Sequence, residues 1–545
     1  MSGATKARIV ILGGGFGGVY TALALEHALG ARDDLEIVLV NNENYFVFQP
    51  MLPEVISGTI GLTDVVSPLR RLLPRTDVHV RDVESVDLEK RSVTTSPGFQ
   101  PHAHVIPFDH LVIALGTVTD FRGLPGLPEH AMPFKNLGDA LALRNHVIRA
   151  LEEASIERHD MELRRQLLTF VVAGGGFSGV EVAAELNDFV RGVARSYMHI
   201  DPSEIRVILL HALDRILPEM DESLALFAQK ILRRRGVELR LGTRLASATG
   251  NAALLAGGEA IPTRTLVSTV PASPHPLIEA LALAKAKNGR LLANRQLQAE
   301  GRSNVWIVGD CGRIATPDGM VAPPTAQHAT RQAAVVAHNI LAAIRGGSPR
   351  VFDFKGLGKM GSLGHRSAVA EILGVKLSGF LAWWVWRTIY LLKMPGWGRR
   401  FKVATAWTLD LLLPPELVEL RFGRSQGLAQ EHFEPGQDVF RQGDLGDRLY
   451  IILSGGVEVR RSEAGRETVL ARLGPGQCFG EMALVNMARR NASVRCVAAM
   501  DVLSLPKKDF AALAANLPDL RQSFERLAAQ RAEGVEISGA PANRG

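Results

Sequence analysis

Two stretches of this chain change their hydrophobic period in the same way. In residues 8–29 an uninterrupted apolar run, Ile9 to Leu12, passes through GGGFGG into VYTALALEHAL, where apolar positions recur at helical spacing. In residues 169–190 the run Phe170 to Ala173 passes through GGGFSG into VEVAAELNDFV. A short apolar run followed by a period near 3.6 predicts a buried strand that turns into a helix. The glycines at the two turns, Gly13, Gly15 and Gly18, then Gly174, Gly176 and Gly179, share the G-x-G-x-x-G spacing. A pyrophosphate requires that order, because the close backbone approach excludes a Cβ and the helix start offers free N–H groups. The repeat predicts two dinucleotide sites in one chain.

Further along, FDHLVIALGT predicts a buried strand from His110 to Leu115, and NVWIVGDCG a short strand running into Gly309 and Asp310. The second strand returns the chain to the first dinucleotide unit after the whole of the second. The expected fold is therefore α/β, with two Rossmann-type domains, one at residues 1–125 and 290–350 and the other, at 126–289, inserted within it. Pro323 and Pro324 before Thr325 predict a helix start capped by the threonine. Residues 351–424 form a separate region. Beyond Pro414 and Pro415, short β-rich runs between glycine turns predict an all-β jelly roll with flanking helices over 425–535.

Composition narrows the chemistry. A length of 545 residues with 46% hydrophobic content supports three or four domains, and a net charge of +6 without a basic arm gives no reason to expect a nucleic-acid partner. Cys311, Cys478 and Cys496 are too few and too scattered for a disulfide framework or a metal cluster, so no metal is expected. MSGATKARIV leads into the first strand without an apolar leader, which fits a cytoplasmic setting. Between Leu377 and Leu413 stand five of the six tryptophans, Trp383, Trp384, Trp386, Trp397 and Trp407, among Arg387, Lys393, Arg399, Arg400 and Lys402. The cations break any run long enough to span a bilayer. Amphipathic helices lying flat on a membrane surface are expected, the alternative being a helix pair packed on the core or in a homodimer interface.

The segments GGGFGG, NYFVFQPMLPEV, IALGT, GGGFSGVEVAAEL, DRILP, VGDCG and PPTAQHATRQ, in this order between Arg8 and Arg424, resemble the type II NADH:quinone oxidoreductases. The resemblance implies FAD on Gly13, Gly15, Phe16, Gly17 and Gly18, with Asn41 at the end of the next strand and the Val83 backbone toward the adenine. It places Gln49 and Pro50 beside the isoalloxazine and Asp310 on the ribityl hydroxyls. Ala326 and Gln327 would begin the helix between flavin and quinone, with the Gln327 amide directed at a carbonyl acceptor. Glu181, taken to lie in the first turn of the second fingerprint helix, would face the nicotinamide. Departures from the family pattern are His211 where an acidic residue reads the ribose, Asn41 for a carboxylate, Val270 and Pro271 for Ala-Gly, and Arg331 for a glutamine. NADH is expected, with NADPH left open by His211. No C-x4-C pair is present and Cys311 is alone, so electrons should leave to a diffusible acceptor, in this family a lipid quinone.

The C-terminal stretch FGEMALVNMARRNASV resembles the phosphate cassette of cyclic-nucleotide-binding domains. The resemblance gives Gly480, Glu481, Met482, Arg490 and Asn491 to a cyclic nucleotide, cAMP or cGMP, as effector. The expected protein is a peripheral, non-proton-pumping FAD enzyme on the cytoplasmic face of the cell membrane. The alternative is a cyclic-nucleotide sensor whose flavoprotein half is a redox-sensing platform.

Overall fold

A computed structural model describes residues 6–30, 32–97, 103–121, 123–269, 273–410, 413, 416–420, 429–463, 466–485, 489–507, 509, 510, 522 and 526. The backbone gathers into two compact units, residues 1–80 with 108–420, and residues 81–107 with 421–545.

In the first unit each expected strand-to-helix turn follows the central strand of a parallel five-stranded sheet. The first sheet has the order Val305–Ile307, His110–Ile113, Ala7–Leu12, Leu35–Asn41, Asp77–Val80. All its pairings are parallel. Ile9 to Leu12 are completely buried on both faces, which is why the run shows no alternation. The helices Phe16–Leu29 and Ala326–Arg345 pack on each other, the latter through a buried stripe that includes Ala329, Ala333 and Ala337.

The second sheet has the order Ala131–Pro133, Thr265–Ser268, Thr169–Ala173, Arg206–Leu210, Val237–Arg240, again wholly parallel. Its strands lie in sequence between two neighbours of the first sheet, where Val305 is in register with Leu111. The second parallel sheet is thus inserted in the first, in keeping with the return strand expected ahead of Gly309 and Asp310. An antiparallel sheet of Gly358–Ser362, Ala368–Ile372 and Val375–Ser378 then leads into the helices Gly379–Lys393 and Trp397–Leu409. Among the described residues no helix is long and apolar enough to cross a membrane.

This helix pair corrects the reading of its tryptophans. Trp386 and Trp407 belong to the core, whereas Trp384 is 57% and Trp397 82% exposed. The cations divide as well. The Arg387 guanidinium lies between the Trp383 and Trp407 rings, 4.2 and 4.5 Å from their centroids, with Glu54 at 3.5 Å. Trp407 Nε1 donates to the second oxygen of Glu54 at 2.7 Å. Arg400 donates to the Met394 carbonyl at 2.8 Å, and Arg399 to the Thr63 carbonyl. Lys393 and Lys402 remain exposed. Cation–π stacking and a buried carboxylate let charged residues sit among core tryptophans. One face of the pair is core, and the other carries the exposed apolar side chains Phe380, Leu381, Trp384, Leu392, Trp397 and Phe401.

The second unit contains an antiparallel meander, Val83–Asp87, Ser92–Thr95 and His104–Pro107, and a six-stranded antiparallel sheet. In that sheet Ser493–Pro506 and Arg448–Glu463 are the long central strands. They are joined by Ala429–Phe433, Asp438–Phe440, Arg466–Leu473 and Cys478–Phe479. Phe440, Tyr450 and Phe479 fill its core, the last two stacked at 5.1 Å. Lys507 pairs with Glu84 of the meander at 2.8 Å. The helix expected after the jelly roll lies almost wholly outside the described residues.

Candidate active site

At the first fingerprint the chain leaves its strand at Gly13, with φ of +102°, and a Cβ there would lie 2.4 Å from the Ala114 carbonyl oxygen. Gly18 packs so closely that a Cβ would stand 1.8 Å from the Gly13 carbonyl oxygen. Gly15 is of another kind. Its backbone is extended, with φ of −81°, and a Cβ there would meet nothing within 4 Å. Gly176 repeats this, with φ of −75° and the same open space, while a Cβ on Gly179 would come 1.8 Å from the Gly174 oxygen. The protein needs neither Gly15 nor Gly176 for its own packing. Each borders an open cradle at a helix start, where uncommitted N–H groups favour an anion, so a pyrophosphate fits both.

The two halves also share a hydrogen bond. Gly14 N–H donates to Asn41 Oδ1 at 2.7 Å, and Gly175 N–H donates to His211 Nδ1 at 3.0 Å. The Asn41 amide is further tied to the Glu43 carbonyl at 2.9 Å, so it braces the loop as well as ending its strand. Burial holds the His211 pKa below the usual histidine range, against the opposing pull of Glu219, the Arg215 carbonyl and Asp214.

Around the first cradle, Phe16 is buried in edge-on contact with Phe46 at 5.0 Å. Gln49 is exposed and Pro50 half-buried in the single helical turn Gln49–Met51. Gly17 lies under Val308, which a Cβ would meet at 2.9 Å. Asp310 follows the strand Val305–Ile307, and burial raises its carboxyl pKa against the attraction of Lys135 and Arg290. Lys135, missed in the sequence, donates to Thr117 Oγ1. Cys311 is wholly buried against the Ile113 and Val308 carbonyls, its thiol pushed up to about 12 by burial. A thiol so held is packing, not a nucleophile. Val83 opens the first strand of the meander in the second unit. Val270 and Pro271 lie outside the described residues.

Ala326 begins the helix Ala326–Arg345 with Thr325 at its cap position, but the threonine hydroxyl bonds His328 Nδ1 at 2.7 Å instead of capping. Gln327 differs from its expected posture. Its Nε2 donates to the Gly358 carbonyl at 2.9 Å and its Oε1 accepts from Leu357 N–H at 3.0 Å. The amide therefore braces the segment that enters the antiparallel sheet. On the same helix Gln332, which the sequence did not single out, accepts from Gly309 N–H at 2.8 Å and holds the loop bearing Asp310. The Arg331 guanidinium stands 5.3 Å over the Phe354 ring.

Glu181 corrects a further expectation. The helix starts at Phe177, so Glu181 falls in its second turn, and its carboxyl accepts from Ser362 N–H at 3.0 Å rather than from its own helix. Burial pushes it up to about 8, with Glu54 adding repulsion. One turn on, Glu185 is also pushed up to about 8, by burial first and then by Glu54 and Asp188. Glu54 is raised by burial despite Arg387. The i, i+4 spacing of Glu181 and Glu185 was visible in VEVAAEL, but the third carboxylate was not. Glu54, Glu185, Asp188, Trp383 and Arg387 line a cavity of about 440 Å³.

In the second unit, Gly480 has φ of +89° and a Cβ there would come 2.7 Å from Arg490 Nη1. Arg490 donates to the Gly480 carbonyl at 2.7 Å and the Arg448 carbonyl at 2.8 Å, over the Phe440 ring at 4.0 Å. Asp447 is 3.6 Å away. Glu481 is buried at the start of the helix Glu481–Val485, with Met482 half-buried and Asn491 Nδ2 at 3.5 Å from its sulfur. Among the described residues of the cassette, the arginine fork is engaged on backbone carbonyls.

Residues 7–333 match the pyridine nucleotide-disulphide oxidoreductase family, 357–413 the NDH2 C-terminal domain and 430–516 the cyclic nucleotide-binding domain. The type II NADH:quinone oxidoreductase Ndh of Mycobacterium tuberculosis is 31% identical over 422 residues, 75% of this chain and 88% of the relative. This chain belongs to the type II NADH:quinone oxidoreductase family. The demethylphylloquinone reductase NdbB of Synechocystis is 33% identical over 410 residues, 74% of this chain and 96% of that one. The fold is that of NDH2 from Plasmodium falciparum, solved in complex with NADH, at a TM-score of 0.70 and 19% identity, covering 76% of this chain and all of the other. Relative to these family members, the chain carries an added all-β domain of the cyclic-nucleotide-binding family.

Proposed function

We propose that this family member oxidises NADH and reduces a lipid quinone, with FAD as resident cofactor, while lying on a membrane surface at the cytoplasmic face. The observation that carries the reading is the pair of open cradles at Gly15 and Gly176 within one compact unit. FAD, when bound, supplies the group able to exchange a hydride with a nicotinamide and electrons with a quinone. Gly13, Gly15, Phe16, Gly17, Gly18 and Asp310 would hold it, with Asn41 bracing the loop. Gly174, Gly176 and Gly179 receive the nicotinamide nucleotide. Overall, NADH, a quinone and one proton from solvent become NAD⁺ and quinol. Glu181 and Glu185, both pushed up to about 8, hold protons at neutral pH beside the helix pair. The exposed face of Phe380, Trp384, Trp397 and Phe401, flanked by Lys393 and Lys402, suits the lipid headgroup boundary. Anaerobic mixing with NADH should bleach the flavin rapidly, and added quinone should restore its colour. A flavin that NADH leaves oxidised would refute the assignment.

The all-β domain would sense cAMP or cGMP. Arg490 favours a second reading of it, as a structural module without ligand, because its fork already binds two carbonyls. Calorimetry of the full chain with each nucleotide decides between them. Saturable binding that is lost in Arg490→Ala supports the sensor, and no heat with either nucleotide supports the structural module.

A further inference from the structure

The histidine at the second cradle is constrained in a way that bears on which nucleotide the enzyme accepts, given the dehydrogenase reading above. A backbone N–H can only donate, so the bond from Gly175 at 3.0 Å requires His211 Nδ1 to be an acceptor. The ring is then neutral with its proton on Nε2. That Nε2 is buried without a hydrogen-bond partner among the described residues, the Arg215 carbonyl lying nearby without closing on it. His211 follows the strand Arg206–Leu210, at the position where a dinucleotide fold reads the ribose next to the nicotinamide nucleotide's adenine.

Asn41 occupies the equivalent place in the first half and gives its Oδ1 to Gly14 at 2.7 Å. The loop thus asks its strand-end side chain for an acceptor in both halves. An asparagine always meets that demand, whereas a histidine meets it only while neutral. Protonation would put N–H against N–H and release the ring.

The charged groups around the ring are few. Asp214, Arg215 and Glu219 belong to the following loop, where the two acids favour the charged form. Arg240, whose carbonyl accepts from His211 N–H, is engaged with Glu238 at 2.6 Å and Glu259 at 3.7 Å. The fingerprint loop Gly174–Gly176 carries no charge, and the helix start beside it opposes a cation.

We propose that His211 sets the nucleotide preference through its protonation state: neutral, it is held by Gly175 and offers the nucleotide no charge, and protonated, freed from Gly175, it pairs with a 2′-phosphate. The enzyme then prefers NADH at neutral pH for want of a positive partner for the phosphate, not through the usual carboxylate repulsion. Acidification brings in NADPH.

The test is equilibrium binding of NAD⁺ and NADP⁺ to the flavin-loaded enzyme, by calorimetry between pH 5.5 and 8, in wild type, His211→Asn and His211→Asp. The Asn variant keeps the acceptor for Gly175 and supplies the baseline, because a phosphate monoester itself gains a proton near pH 6. Relative to that baseline, acidification should improve wild-type NADP⁺ binding against NAD⁺ by roughly tenfold, the worth of a charge-assisted phosphate bond. His211→Asp should favour NAD⁺ throughout. In ¹⁵N spectra of the enzyme without nucleotide, His211 Nδ1 should be unprotonated at pH 7. A wild-type ratio that tracks His211→Asn at every pH, or a protonated Nδ1 at pH 7, overturns the proposal while NAD⁺ binding still upholds the dehydrogenase. Absence of binding by both nucleotides would overturn the dehydrogenase reading as well.

Discussion

Gly15→Ala and Gly176→Ala should separate ligand binding from folding. Both positions have extended backbone that an alanine adopts freely, and a Cβ at either meets no protein atom within 4 Å. Replacing such a glycine lowers the entropy of the unfolded chain and stabilises the empty protein by about 0.4–1 kcal/mol. The same methyl group occupies the space an approaching pyrophosphate needs. Each hydrogen bond from backbone to a charged oxygen contributes about 1.5–3 kcal/mol, so losing one weakens binding roughly 10- to 150-fold and losing two strips the ligand on a sizing column. Gly15→Ala should therefore be colourless but folded, and Gly176→Ala should stay yellow while no longer bleached by NADH. Gly18→Ala supplies the contrast, since its Cβ would stand 1.8 Å from a backbone oxygen and the clash costs the fold about 1–3 kcal/mol or more. Visible absorbance per chain and the unfolding midpoint of each flavin-free variant are the measurements. Full flavin in Gly15→Ala would refute the reasoning, as would a loss of stability equal to that of Gly18→Ala.

Glu181 carries a pH prediction. Its folded pKa of about 8 lies above that of the unfolded chain, so between roughly pH 4.5 and 8 the folded state holds a proton that the unfolded state has released. Stability should fall as pH rises through that window, by at most about 1.4 kcal/mol per pH unit from this group, and Glu181→Gln should flatten the decline in the denaturant midpoint between pH 6 and 8. An unchanged slope would mean the carboxyl is already ionised at neutral pH. The helix pair gives the last prediction: Trp384→Ser with Trp397→Ser and Phe401→Ser should release the enzyme from anionic vesicles in a flotation assay and leave turnover of a water-soluble acceptor intact. Trp386→Ala, at a side chain 1% exposed, should instead cost about 3–5 kcal/mol. Vesicle binding that survives the triple substitution would place the membrane face elsewhere.

The parallel sheets were legible because Ile9–Leu12 and Phe170–Ala173 are buried on both faces, and such runs leave a plain signal beside glycines at fixed spacing, while the insertion was legible from the apolar strand of NVWIVGDCG. The positions of Gly15 and Gly176 followed from the same pattern. What the pattern did not carry was partnership across the chain. Nothing near Glu181 announces Ser362, which lies 181 residues away, and nothing near Gln327 announces that Leu357 and Gly358 will take both ends of its amide. The tryptophan-rich segment misled for a related reason. Arg387 reads as a surface cation until Glu54, Trp383 and Trp407 are seen around it, because a buried charge is recognisable only with its partners in place.

The bond from Trp407 to Glu54 spans 353 residues of sequence. During synthesis the carboxylate therefore emerges long before the indole and guanidinium that surround it. Until the two C-terminal helices leave the ribosome, the segment after Gln49–Met51 must keep Glu54 in water or bury it alone at considerable cost. Final closure of that segment waits on nearly the last part of the first unit to be made. A nascent chain interrupted before Gly379 would carry both glycine loops yet lack the side chains that seal the pocket around Glu54.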